Sequence, residues 1–436
     1  MKNILLKTSL LFYVASMVFT FAAITTTVRS VSAAKVVNNL FSISNSPESP
    51  LLSPEPMRFG FNYENFVYVS NIEELYSAVN NPNNAGSQIV IAPGVYMLSA
   101  NAPGGAARPN RGRLELQENM SLLGVQGDRE AVVIDAFNLP VSSYQTPALT
   151  GAIRIGRGSN TIEWLTVRRA VNGSANIETD LIWSGTAYIR IAHIASTGSV
   201  RGIDVRNFGP EAAGAVIEAE IVDNDLFSNR LRLAEGIRIG NNLGANGSVI
   251  FATLSGNRIF DNFQGLLVEN NRANSANISV FSSGDRFFEN GSGTNIIGGL
   301  SFNSIPANGN TINFTAHGSI FENNNGFASF DRGGMSVVGG ENLSIPNGTS
   351  NNTVNVELQG CRFANNQLYD IAAFGARTDP FRAHPDPFFF RSPPGTNNHV
   401  VITLRGIGRN QPPINIVTAD SIPKYRNDMN TVTIIR

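Results

Sequence analysis

Lysine is almost missing from this chain of 436 residues: Lys2, Lys7, Lys35 and Lys424 are the whole set. Nearly all positive charge is therefore arginine, and lysine is removed as a catalytic base across the middle of the chain. Cysteine occurs once, at Cys361, so an internal disulfide is excluded and a buried small hydrophobe is the expected role. The four histidines, His193, His317, His384 and His399, are scattered without metal-ligand spacing. Charge is sparse, at 15% of residues, and the formal net charge is -1. That removes the electrostatic case for nucleic acid. With 42% hydrophobic residues, the same low charge argues against disorder.

Long apolar runs are also lacking, apart from Leu10 to Ile24. That run is shorter than the ~20 residues a helical span needs. Lys2 and Lys7 precede it, and Val31-Ser32-Ala33 or Ser32-Ala33-Ala34 follows with small residues. Residues 1–34 thus read as a secretory signal. No cysteine lies near the cleavage site to carry a lipid. The expectation is an exported protein (secreted, periplasmic or on the cell surface), monomeric and without a membrane span after cleavage. Residues 35–66, with Pro47, Pro50, Pro54 and Pro56, read as a loosely ordered extension.

What the chain has is repetition. Leu226-Phe227-Ser228-Asn229, Ile259-Phe260-Asp261-Asn262, Phe287-Phe288-Glu289-Asn290, Ile320-Phe321-Glu322-Asn323 and Arg362-Phe363-Ala364-Asn365 each end a β-like run. Most are followed by a second run opening on glycine, and the glycines stand at 202, 236, 265, 299 and 334. A repeat of this length is the signature of a solenoid. Ahead of it, Ser70 to Glu73 reads as a capping box opening a helix near residues 71–80, with Ile72, Leu75, Tyr76 and Val79 on one face. Short strands then follow, among them Thr161–Val167 and Ala175–Thr179. Residues 375–398, with five prolines, read as a long loop. Strand character returns at Val400–Leu404, Ile414–Val417 and Thr431–Ile435.

The capped helix followed by "IVIAPGVYML", "GRLELQENMSLLGVQG" and "AVVIDA" resembles the opening of right-handed parallel β-helix proteins of the pectate-lyase-like superfamily. The resemblance covers residues 67–436. It implies an all-β fold, a right-handed parallel β-helix with its N-terminal end covered by the short helix. Covering an open coil end hides core and unpaired strand edge. Phe227, Phe260, Phe288, Phe321 and Phe363 should then stack as one internal column. Asn229, Asn262, Asn290, Asn323, Asn365 and Asn410 should form a column of amides, similar to the asparagine ladder of that family.

In the glycine-led strands the third residue should face outward. That column reads Arg154, Glu178, Asp204, Arg238, Leu267, Ser301, Ser336, with Asp180, Arg206 and Glu269 two residues further along. One reading is a ladder of ion pairs on a solvated face. The other follows from the family, whose substrates lie along an outer sheet groove served by acidic residues and arginines. On it, Asp204, Arg206 and Arg238 are catalytic candidates, and Arg154, Arg238 and Glu269 are substrate-binding candidates. Glu178, Asp180 and Asp204 are candidates for a divalent cation such as Ca2+, which takes oxygen ligands.

Two functions compete. The first is a polysaccharide-processing enzyme, a uronate lyase or glycosidase. Its signature motifs are absent: neither the Asn-Thr-Asp, Asp-Asp, Gly-His-Gly, Arg-Ile-Lys set of polygalacturonases nor the Trp-Ile-Asp-His segment of pectate lyases occurs. The second is a non-catalytic surface protein whose long face binds glycan or protein. The export reading is checked by N-terminal sequencing of protein taken from outside the cytoplasm. A start near Ala34 or Lys35 is expected, and Met1 retained in a membrane fraction would defeat it.

Overall fold

Each coil of the chain passes through three strands, and each strand pairs in parallel with its counterpart in the next coil. Sheet 1 has twelve strands, from Phe66–Val69 to Thr431–Ile435. Sheet 2 has ten, from Leu114–Glu115 to Ile416–Ile422, and sheet 3 has nine, from Gly94–Met97 to Arg362–Ala364. Strand order in every sheet follows chain order. The architecture is a right-handed parallel β-helix. The structure, a computed structural model, describes residues 65–144, 150–173, 175–179, 183–230, 234–302, 305–325, 333–342, 349–378, 395–407, 413–422 and 429–436. The signal segment and nearly all of the N-terminal extension lie outside these residues. Among the described residues no helix is long and apolar enough to cross a membrane.

Period-two alternation builds the core. In Val216–Val222, Ile217, Ala219 and Ile221 are buried while Glu218 and Glu220 face out. The helix Ile72–Asn80 covers the first coil and buries Leu75, Tyr76, Ala78 and Val79, with Ile72 only partly covered. Its cap is one residue later than the sequence suggests. The Asn71 side chain accepts from the Glu74 N–H at 3.0 Å, and the Glu74 carboxylate accepts from the Ser70 N–H at 2.7 Å. Glu73 is free to pair with Arg108 instead. The run 161–167 is not one strand: Trp164 turns a corner at φ 57° between Gly158–Glu163 and Thr166–Arg168. Nor does the loop begin at 375. Sheet 2 continues through Tyr369–Thr378, and Gly395–Thr396 pairs with Thr349–Ser350, while residues 379–394 lie outside the description.

The amide ladder is real, but its upper register is shifted. It runs Asn229, Asn262, Asn290, Asn324, Asn366, each Nδ2 donating to the next Oδ1 at 2.9 to 3.3 Å. Asn323 and Asn365 instead take the left-handed corner just before it, at φ 55° and 54°, where earlier coils have Ser228, Asp261 and Glu289. Asparagine tolerates that backbone, so both positions of the pair can be asparagine and sequence cannot tell them apart. Asn410 lies outside the described residues. The glycines are explained by the ladder. A Cβ on Gly236 would stand 3.0 Å from Asn262 Nδ2 and 2.8 Å from the Gly265 carbonyl, and the same conflict recurs at Gly202, Gly265, Gly293 and Gly334. The fourth member is therefore Gly293, not Gly299. Ser301 leaves the outward column accordingly, and Asn295 takes its place opposite Leu267 and Ser336.

The phenylalanines form two stacks rather than one. Phe287, Phe321 and Phe363 are in the core with ring centroids 5.0 and 4.7 Å apart. Phe227, Phe260 and Phe288 stack on the outside of sheet 3 at 5.1 and 4.9 Å, half-buried, with Arg258 and Arg286 over two of the rings. The doubled Phe287-Phe288 is where both stacks pass one coil, so a single spacing cannot separate them. Removing Phe287 should cost about 3–5 kcal/mol through the cavity left behind. Phe288→Ala opens no internal cavity and should cost far less. Thermal unfolding of the two variants checks this, and equal losses would refute the assignment.

Candidate functional site

The outer face of sheet 2 carries the charge. Register places Glu115, Arg154, Glu178, Asp204, Arg238 and Leu267 side by side on successive strands. Arg206 and Glu269 lie two residues further along their strands. The structure thus brings Arg154, Glu178, Asp204, Arg206, Arg238 and Glu269 together, while Asp180 lies outside the described residues. The face is not the solvated ladder that one sequence reading expected. Glu178 and Asp204 are 0% exposed, and Arg206 and Arg238 only 5% and 6%.

Pairing explains how so much charge is tolerated away from water. Arg206 reaches Glu178 at 2.5 Å and Asp204 at 3.4 Å. Arg201 joins Asp204 at 3.7 Å to Glu235 at 2.8 Å. Arg238 joins Asp204 at 4.0 Å to Glu269. The two carboxylates on adjacent strands, Glu178 and Asp204, do not simply repel, because Arg206 bridges them.

Glu178 is saturated by protein donors. It accepts from the Thr150 N–H and hydroxyl at 2.8 Å each, from the Gly151 N–H and from Arg206. Asp204 differs: three guanidinium groups surround it, yet neither oxygen makes a hydrogen bond. Burial raises its carboxyl, but the joint attraction of Arg206, Arg201 and Arg238 outweighs this and holds it below the usual aspartate range. That field stabilises the carboxylate's own charge and repels a second cation. Among the described residues no three His, Cys, Asp or Glu groups are placed to hold a metal.

Two members of this network were not singled out from sequence, Arg201 and Glu235. Each immediately precedes a column glycine, so the signal was present one residue upstream of the strand starts. Glu235 is 2% exposed, and its carboxyl is pushed up to about 7. Burial is the main cause; Arg201 and Arg238 pull it down, while Asp204 and Glu269 push it up.

The network opens to solvent at its N-terminal end. There a cavity of about 300 Å3 is lined by Glu115, Leu116, Glu118, Trp183 and the run Arg154 to Arg157. Arg157 stacks over the Trp183 ring at 4.4 Å. Glu115 is held by Arg113 at 2.6 Å and by Arg154 at 3.7 Å. Trp183 comes from an irregular stretch, and only the folded chain brings it to Arg157.

The Glu235 assignment has a pH consequence. Its folded value lies above the unfolded value of 4.5, so the folded state keeps a proton that the unfolded chain releases. Its contribution to stability is full below 4.5 and is lost as pH rises to about 7. Glu235→Gln keeps the shape without the titration. Melting temperatures of parent and variant across that range should show a shallower decline for the variant; identical slopes would remove Glu235 from the account.

No protein-family model matches the chain, and no curated protein matches it in sequence. Solved structures do resemble it. Pectate lyase Pel9A aligns with a TM-score of 0.41 and 13% identity, over 72% of this chain and 79% of its own. The A-module of mannuronan C-5 epimerase AlgE4 from Azotobacter vinelandii aligns at 0.33 and 13%, over 85% and 98%. The Dettilon tailspike protein aligns at 0.31 and 10%, over 85% and 68%. At these identities and scores nothing beyond the fold is carried over, and the parallel β-helix rests on this chain's own strand pairing.

Proposed function

We propose that this is an exported β-helix protein that binds an acidic polysaccharide at the N-terminal end of the outer face of sheet 2, with the cavity at Trp183 holding one uronate ring. The cavity's composition carries the reading. An aromatic face suits the C–H side of a sugar. Arg154 and Arg157 suit its carboxylate, since a guanidinium matches a carboxylate with two parallel hydrogen bonds. Among the lining residues Arg154 and Arg157 balance Glu115 and Glu118, and Arg113 pairs with Glu115 from outside the lining. A volume of about 300 Å3 is at the lower end for a small-molecule site, enough for part of a chain rather than a whole ligand.

Binding is favoured over cleavage because of burial. Asp204, Arg206 and Arg238, the catalytic candidates, touch one another rather than a surface that a polymer could reach. Their role in this reading is to fix the sheet face and its potential beneath the cavity. Arg238 and Glu269 pair with each other away from the cavity, and Arg154, which meets Glu115 at 3.7 Å, is the member of the substrate-binding set that lines it.

Calorimetric titration with oligogalacturonate and with a neutral oligosaccharide of equal length tests the proposal. The acidic ligand should bind more tightly, and Arg154→Ala and Trp183→Ala should each weaken it roughly tenfold or more, about 1.4 kcal/mol. Equal affinity for both ligands, or no effect of either substitution, would refute it. Unsaturated products appearing in the absorbance trace would establish a lyase instead.

A further inference from the structure

The corner joining sheet 1 to sheet 3 is turned in most coils by one residue in the left-handed backbone region. In five later coils the residue that follows the sheet 1 strand is glycine, Gly256, Gly284, Gly318 and Gly360 ahead of a sheet 3 strand and Gly406 beyond the last of them, at φ 61° to 67°. In three consecutive earlier coils the same position holds Trp164, His193 and Asp223, at φ 57°, 54° and 51°. Left-handed backbone is free for glycine and unfavourable for a bulky side chain. Strain of this kind gathers where a side chain is needed for something other than the turn.

The three side chains form one unit on the surface. The indole of Trp164 and the imidazole of His193 are stacked, with centroids 4.1 Å apart and planes 11° from parallel. His193 Nδ1 lies 2.8 Å from an Asp223 carboxylate oxygen. A carboxylate only accepts, so Nδ1 donates, and in the neutral ring Nε2 is then the acceptor. Asp223 is 54% exposed and also meets Arg129 at 3.5 Å. On the other side of Trp164 the preceding coil has Gly124, which lies against the Trp164 backbone carbonyl and offers no side chain to stack on the half-buried indole.

We propose that Trp164, His193 and Asp223 form a second carbohydrate site, on the corner between sheets 1 and 3, which takes a single sugar ring. The C–H face of the ring lies on the indole face turned away from His193. Its edge hydroxyls donate to His193 Nε2 and to Asp223, and accept from Arg129. An imidazole held by a carboxylate keeps one tautomer, so its acceptor is fixed in place before the ligand arrives. Nothing in the turn itself calls for these residues, since glycine takes the same position five times further on. The inference rests on the corner alone and not on the cavity at Trp183.

The chain has only two tryptophans, Trp164 and Trp183, which separates the two sites experimentally. In Trp183→Phe protein the emission comes from Trp164. Titration with oligogalacturonate and with a cello-oligosaccharide should give a saturable emission change with at least one of them. Adding His193→Gly should weaken that response at least tenfold. Trp164→Gly should keep or raise the melting temperature, because glycine relieves the backbone. No saturable change with either sugar, or a response indifferent to His193→Gly, would overturn the site. So would a marked fall in melting temperature for Trp164→Gly, which would make the stack a structural element. Failure of the Trp183 cavity in its own titration leaves this result unaffected.

Discussion

The seam between the asparagine ladder and the glycine column sets the spacing of everything else. From Asn262 to Asn366 each ladder amide donates twice and accepts twice. Asn290, for example, donates to Asn324 Oδ1 and to the Ile259 carbonyl, and accepts from the N–H and Nδ2 of Asn262. A buried amide with all its capacity used has no alternative register of equal energy. The facing strand must come close enough to touch these amides, which is why a Cβ at Gly236 or Gly265 would collide. Further ladders act in the same way elsewhere, through Asn310, Asn352, Asn398 and Asn430 and through Asn207, Asn241 and Asn270.

With the coils locked, side chains at equivalent positions lie one strand spacing apart, roughly 4.8 Å. Like aromatics then stack, as Phe287, Phe321 and Phe363 do. Like charges at that spacing would repel, so the sheet 2 face either alternates or inserts an arginine between acids. From Glu115 to Glu269 it does both, and beyond Arg238 the column becomes Leu267, Asn295 and Ser336. Buried ion pairs of this kind add little net stability over apolar residues. They are densest in the coils beside the cavity, which fits a face kept for its potential, and one further buried pair, Glu341 with Arg377 at 2.9 Å, lies near the other end of the sheet.

The left-handed corners show the same economy from the other side. Each non-glycine residue there costs roughly 1–2 kcal/mol of backbone strain. Ser228, Asp261, Glu289, Asn323 and Asn365 are small or polar and precede a ladder amide that holds the turn. Trp164 and His193 are neither small nor flexible, and what they gain is each other's ring face and the Asp223 carboxylate.

The repeat, the parallel β-helix and its helical cap were legible because period-two apolar runs, turn asparagines and stepped glycines are local patterns. The sheet 2 charge column from Arg154 to Arg238 followed from the same period, and its register is the one the strands adopt. Sequence could not separate neighbouring residues of like type: Asn323 from Asn324, Asn365 from Asn366, Phe287 from Phe288. Spacing is blind to a one-residue shift when both residues fit, and only contact across coils decides which one meets its partner. Burial of Asp204 and Arg206, the place of Glu235 between Arg201 and Arg238, and the meetings of Trp183 with Arg157 and Trp164 with His193 are likewise tertiary facts. The sequence by itself determined that the chain coils and which columns are polar. The packed structure decided which of those columns water can reach, because exposure depends on what the rest of the chain lays over a strand and not on the strand's own residues.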